Sequence, residues 1–132
     1  MKKILQHIFI FIIIVGFCIF IAFKLSPYPS AWIVRHGFNK EAIRVNKALE
    51  KFVPKNIKTI GNLHYDTKDK DAFLNAYFHS DTVKIKNKLP IIVWTHGGGL
   101  ISGNKEQLSN YCKLLASYGY VVFSIDYSIA PE

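Results

Sequence analysis

The chain has 132 residues, a formal net charge of +8, and hydrophobic residues at 50% of its positions. The basic excess does not describe a nucleic-acid binder. Its lysines are scattered (Lys47, Lys51, Lys55, Lys58, then Lys84, Lys86 and Lys88) without a recognition motif, and read as a solvated face open to anionic lipid. Two cysteines, Cys18 in an apolar run and Cys112 in a predicted helix, make no disulfide framework and are not expected to pair.

The apolar residues concentrate at the start. Residues 8–23 are apolar throughout, and residues 4–25 would extend about 33 Å as a helix, against about 30 Å for a bilayer core. Residues 1–25 are therefore expected to form a membrane anchor that meets the lipid bilayer through residues 4–25. A cleaved signal peptide is the competing reading, with Lys2 and Lys3 as its basic start. The length of the run argues against cleavage, as do Lys24, Pro27, Tyr28 and Pro29 where small residues would be needed. Lys2 and Lys3 favour an inside N-terminus with an extracytoplasmic body, although Lys24, Arg35 and Lys40 load the other flank.

Residues 26–58 read as a linker followed by a cap-like helix. Ser26-Pro27-Tyr28-Pro29-Ser30 predicts a stiff, non-helical connector. A helix is expected over 39–52, capped by Asn39, with Ala42, Ile43, Val45, Ala48, Leu49 and Phe52 as its apolar stripe and Pro54 beyond its end. Two short strands over 59–65 and 72–78, joined by the polar stretch Asp66-Thr67-Lys68-Asp69-Lys70, predict an antiparallel hairpin.

Residues 90–95 do not alternate in polarity, as for a strand covered on both faces. A helix over 105–118 follows, with Leu108, Cys112, Leu115 and Tyr111 inward and Gly119 at its end, then a second buried strand over 120–125. Strand, helix and strand form a βαβ unit, which implies a parallel pair and a right-handed crossover.

His96-Gly97-Gly98-Gly99 stands directly after the first of these strands. The carboxyl ends of parallel strands are where an open α/β sheet holds ligands. Consecutive glycines there bring bare backbone N–H groups to a ligand with no Cβ in the way, as an oxyanion hole requires. A flexible turn or a phosphate loop would also use glycines, but neither G-x-G-x-x-G nor G-x-x-x-x-G-K-[ST] is present. In Gly99-Leu100-Ile101-Ser102-Gly103 the serine falls one place too late for G-x-S-x-G, so Ser102 reads as an ordinary loop or helix-entry residue.

Residues 90–132, from Pro-Ile-Ile-Val-Trp-Thr-His-Gly-Gly-Gly to Asp126-Tyr127-Ser128-Ile129-Ala130-Pro131-Glu132, resemble the α/β-hydrolase superfamily. They are most similar to its hormone-sensitive-lipase-like branch of carboxylesterases and acetyl esterases. The hairpin region 62–80 carries a weaker resemblance.

The resemblance implies an α/β fold: an incomplete α/β-hydrolase domain over 59–132, with the N-terminal strands and first crossover helix of a mostly parallel sheet, behind the transmembrane helix. It implies that Gly98 and Gly99 supply oxyanion donors, that Gly97 shapes the turn, and that His96 supports the loop without being the triad histidine. Asp126 would be structural, and Ser128 stands where the family commonly has arginine. The triad follows the oxyanion loop in this fold, so serine, acid and base would all fall after Glu132.

His7, His36, His64 and His79 are dispersed without metal-ligand spacing, and no metal or organic cofactor is implied. Trp32 and Phe38 are expected in core packing, with a cap over the site or a membrane-adjacent patch as alternatives. The functional expectation is the N-terminal part of a membrane-anchored serine carboxylesterase acting on a small ester, inactive alone. The strand over 90–95 would then leave an unpaired edge for a complementing C-terminal chain. The alternatives are a non-catalytic, membrane-anchored interaction protein that keeps the scaffold, and a lipid-surface binder.

Overall fold

The computed structural model describes residues 2–81 and 88–131. Lys84, Lys86 and Glu132, named above, lie outside the described residues. The apolar N-terminal run forms one helix, α1 (Lys2–Leu25), with mean hydropathy 3.0 over its window and no buried residue. It is long and apolar enough to cross a membrane, and the body of the protein does not bury it.

A second helix, α2 (Tyr28–Leu49), begins almost at once and passes into a 3₁₀ turn, Glu50–Phe52. The non-helical connector is therefore only Ser26 and Pro27, and Tyr28, Pro29 and Ser30 already belong to α2. Prolines in the first helical turn cost nothing there, because the N–H they lack would have no intrahelical acceptor. The Ala31 N–H already closes the first turn on the Pro27 carbonyl at 3.0 Å.

Asn39 consequently lies in mid-helix and caps nothing. The expected apolar stripe does not face the body either: Ile43, Val45 and Phe52 are exposed. Trp32 and Phe38, 68% and 55% exposed, are likewise outside the core. Besides the buried Ala31, α2 directs toward the body a polar row of Arg35, Asn39 and Asn46, spaced four and seven residues apart on one helical face.

The hairpin forms as expected. β1 (Ile57–His64) and β2 (Phe73–His79) pair antiparallel from Ile57 opposite His79 to His64 opposite Phe73. The register breaks between Ile60 and Leu63, where Asn62 takes φ 57° and its N–H donates to Asn75 Oδ1 at 3.0 Å. Asp66 and Asp69 fold the connecting turn by accepting the N–H groups of Lys68 and Asp71, both at 2.9 Å.

The crossover unit is present too, as β3 (Ile91–Thr95), α3 (Ser109–Ser117) and β4 (Val121–Ile125). β3 and β4 run parallel, from Ile91 opposite Val121 to Thr95 opposite Ile125. α3 is shorter than the expected 105–118, because residues 105–108 form turns before it. Gly119, at φ 92°, follows its last residues.

The strand order is β1-β2-β4-β3. β2 pairs antiparallel with β4 as well, from Leu74 opposite Ile125 to Tyr77 opposite Val122. The sheet is thus mixed, with β3–β4 its parallel pair, and the expectation of a mostly parallel sheet is corrected. The hairpin docks through its second strand, which runs against β4, so both pairs involving β2 are antiparallel.

β3 lies at the edge of this sheet, and it is covered on one face, not two. Ile91 and Val93 are 61% and 60% exposed, while Ile92 and Trp94 are half-buried beside the core. That core consists of Tyr77, Cys112, Ala116 and Val122, ringed by Ile57, Ile92, Trp94 and Leu115. Cys112 and Leu115 point inward as expected, and Tyr111 packs on Trp94 with ring centroids 5.1 Å apart. Cys18 and Cys112 are both free thiols.

Candidate active site

The parallel pairing of Thr95 with Ile125 brings two loops out at the same end of the sheet. One follows β3 and carries His96, Gly97, Gly98 and Gly99; the other follows β4 and carries Asp126, Tyr127 and Ser128. His96 is buried between them. Its imidazole stacks on the Tyr127 ring at 4.3 Å, and the Tyr127 hydroxyl donates back to the His96 carbonyl at 2.9 Å. His96 Nδ1 is 2.9 Å from the Gly97 carbonyl, and a Cβ on Gly103 would overlap both groups.

Beneath this stack lies an ion pair. Asp126 Oδ2 is 2.7 Å from Lys105 Nζ, and Asp126 Oδ1 accepts the Lys105 N–H at 2.5 Å. These side chains are only 19% and 12% exposed, so water and salt screen their attraction weakly. Ser124 Oγ donates to the Lys105 carbonyl at 2.8 Å, which fixes that residue from a third side. His96 Nε2 stands 3.9 Å from Asp126 Oδ1.

The turn itself uses conformations that few side chains allow. Gly98 and Gly99 have φ 129° and 63°, and Leu100 follows at φ 61°. The Gly98 carbonyl accepts the N–H groups of Ile101 and Ser102, both at 3.1 Å. A Cβ at Gly98 would collide with the Ser102 carbonyl, whereas one at Gly99 would meet nothing within 4 Å. Among the described residues, neither the Gly98 nor the Gly99 N–H has an acceptor. Two adjacent backbone donors therefore remain available to an anion.

Ser102 is more than a loop residue: it is buried, and its hydroxyl donates to Asn39 Oδ1 at 3.1 Å. Gln107 Nε2 donates to the same Asn39 oxygen at 2.7 Å. Arg35 reaches the far arm of the turn, with Nε on the Ile101 carbonyl at 2.6 Å and Nη2 on the Ala130 carbonyl at 2.9 Å. Asn46 Oδ1 accepts the Asn110 N–H at 2.8 Å and so supplies the first turn of α3 with a cap that Leu108 does not. Ser128 Oγ lies 3.2 Å from both Asp69 Oδ1 and Asp71 Oδ2 and ties the β4 loop to the hairpin turn.

The four residues singled out in the sequence thus share one loop. Arg35, Lys105 and Tyr127 around it have no site role in the sequence reading, and Asn39 is read there only as a helix cap. The available signal was the spacing of Arg35, Asn39 and Asn46 along one face of α2. A separate cleft of about 500 Å³ lies between α2 and the start of α3, lined by Asn39, Asn46, Lys47, Gln107 and Asn110 among others.

Comparison with known proteins finds likenesses to esterases. The BD-FAE family model matches residues 78–132. The 3-O-acetylpapaveroxine carboxylesterase CXE1 of Papaver somniferum is 45% identical over 51 residues, covering 36% of this chain and 16% of that protein. Carboxylesterase 1C of Rattus norvegicus is 40% identical over 57 residues, 43% of this chain and 10% of that one.

Among solved structures, esterase B from Lactobacillus rhamnosis with a tributyrin phosphonate inhibitor superimposes with TM-score 0.61 at 28% identity, over 80% of this chain and 34% of that chain. The hyperthermophilic esterase of Pyrobaculum calidifontis gives TM-score 0.56 at 25% identity, over 82% and 32%. The fold is therefore esterase-like and of the α/β-hydrolase kind. The chain spans about a third of the length of these solved esterases and 16% or less of the curated relatives named here.

Proposed function

We propose that this chain carries the oxyanion-binding part of a membrane-anchored serine carboxylesterase that acts on small esters. The observation that carries the reading is the pair of unpartnered N–H groups at Gly98 and Gly99, on a loop at the carboxyl end of a parallel strand in an esterase-like fold.

In this reading a seryl oxygen adds to the ester carbonyl, and the carbonyl oxygen takes the negative charge as the C–O double bond opens. The Gly98 and Gly99 N–H groups donate to that oxygen as charge develops, a contribution on the order of 10²–10³ in rate for one such donor. Collapse expels the alcohol, and water then releases the acid from the acyl-serine. Gly97 shapes the turn. His96 holds it through the stack on Tyr127 and takes no part in proton transfer. The serine, acid and base belong to a further stretch of polypeptide, a view supported by the one-third coverage of the solved esterases. α1 is the single-pass anchor, with Lys2 and Lys3 inside and the body outside.

The exposed edge and outer face of β3 favour a second reading, a non-catalytic scaffold that recruits a partner. The two separate in one experiment: blotting the host's membrane fraction with an antibody to residues 62–88, then treating it with a serine-reactive phosphonate. The esterase reading expects a band well above 15.1 kDa that takes the label. An unlabelled band at 15.1 kDa, with no labelled chain co-purifying, refutes it and leaves the scaffold.

A further inference from the structure

We infer that Arg35 is a positioning residue for the Gly98–Gly99 donors, so that α2 sets the shape of the anion-binding turn from outside the sheet. The assignment rests on the reading of those two N–H groups as the oxyanion donors.

The conformation of Gly98 depends on the strand of backbone that returns beneath it, because Ile101 and Ser102 both donate to the Gly98 carbonyl. Ser102 packs so close under Gly98 that no Cβ fits between them. Whatever fixes residues 101 and 102 therefore also constrains the peptide planes that carry the two unpartnered N–H groups.

Three side-chain bonds from α2 converge on that region. Arg35 Nε binds the Ile101 carbonyl at 2.6 Å, Arg35 Nη2 binds the Ala130 carbonyl at 2.9 Å, and Asn39 Oδ1 accepts from Ser102 Oγ at 3.1 Å. The loop after β4 closes the ring, since the Ala130 N–H donates to the Leu100 carbonyl at 2.7 Å.

Arginine suits this place for a geometric reason. Its planar fork offers two donors at a fixed spacing, so one side chain holds two carbonyls from different loops at a set separation. No carboxylate pairs with Arg35 among the described residues, so its charge serves these carbonyls alone. A lysine has one nitrogen and cannot span them in the same way. The bonds join residues 66 and 95 positions apart in the chain, so they tie α2 to the loops rather than closing α2 on itself.

The test is amide hydrogen exchange with ¹⁵N chemical shifts, on the whole chain in detergent micelles, comparing wild type with Arg35→Ala. Loss of two charge-assisted bonds should speed exchange at Ile101, Ser102 and Ala130 by about 10- to 100-fold and move the Gly98 and Gly99 resonances. Val122 and Phe123 in β4 should stay within about twofold, as expected for local opening only. Millimolar methylguanidinium should restore slow exchange to Arg35→Ala, a rescue that a general loss of packing would not show.

Should Arg35→Ala fail to fold, Arg35→Lys keeps the stem and charge, and the same loop-selective acceleration is expected from it. Unchanged loop exchange, equal acceleration in β4, or no response to methylguanidinium overturns the assignment. The exchange readout does not depend on ester chemistry. A failed phosphonate labelling therefore refutes the esterase reading, and a failed exchange result refutes the role of Arg35.

Discussion

Alanine substituted in turn at Gly97, Gly98 and Gly99 should produce three different losses of stability, and the structure sets their order. Gly97 has an ordinary φ and open space where a Cβ would go, so Gly97→Ala should stay within about 0.5 kcal/mol of wild type. Gly99 has the same open space but φ 63°, and a left-handed alanine costs about 1–2 kcal/mol. Gly98 combines φ 129° with a backbone carbonyl, that of Ser102, in the path of the new methyl. Strain of about 1–3 kcal/mol and overpacking of similar size put Gly98→Ala at about 2–6 kcal/mol. At about 4–8 °C per kcal/mol, Gly99→Ala should melt about 4–16 °C below wild type, and Gly98→Ala, which adds overpacking to the strain, lower still. Thermal circular dichroism in micelles reads all three. Equal midpoints for Gly98→Ala and Gly99→Ala would falsify the turn geometry on which the site rests.

Asp126→Asn should cost about 2–3 kcal/mol in urea unfolding, because it leaves the Lys105 ammonium nearly buried without its counter-charge; a loss under about 0.5 kcal/mol would show the pair to be water-screened. Alkaline pH should destabilise the fold through Cys112, whose thiol is pushed up by burial from 9.0 to about 11. The unfolded chain ionises first, near 9, so stability is intact below that pH and falls as pH rises towards 11, by about 2–3 kcal/mol in all. Unfolding curves of wild type and Cys112→Ala between pH 8 and 11 should therefore converge, and parallel curves would rule the thiol out as the cause.

The parts legible in the sequence were those set by local pattern. The apolar run gave α1 away by length alone, and strand, glycine loop, helix and strand fell in the expected order because βαβ units leave a period in the chain. α2 was misread at both levels. Its prolines look like a break unless one knows that the helix starts at them. Its polar row faces backbone carbonyls and serine hydroxyls some 60 to 95 residues away; the spacing of the row is visible in the sequence, but its partners are not. β3 reads as doubly covered from its composition, yet its burial depends on what packs over each face, and among the described residues only the face of Ile92 and Trp94 is covered, by the core that α3 supplies. Around the loop, the glycines announced themselves through conformation. Arg35, Lys105 and Tyr127 work through long-range contacts and looked like ordinary residues.

α2 is also a ruler. Leu25 closes α1, and Arg35, which grips the turn, is the eighth residue of α2. Seven helical steps of 1.5 Å and three Cα–Cα steps of about 3.8 Å across Ser26 and Pro27 put the two Cα atoms no more than about 22 Å apart, whatever the angle between the helices. With α1 seated in a bilayer, the turn is tethered within a few headgroup depths of the lipid, and lengthening the soluble body elsewhere cannot lift it away. An amphiphile dissolved in that lipid would meet the site at its local membrane concentration, while a freely soluble molecule would have to come down to the surface to reach it.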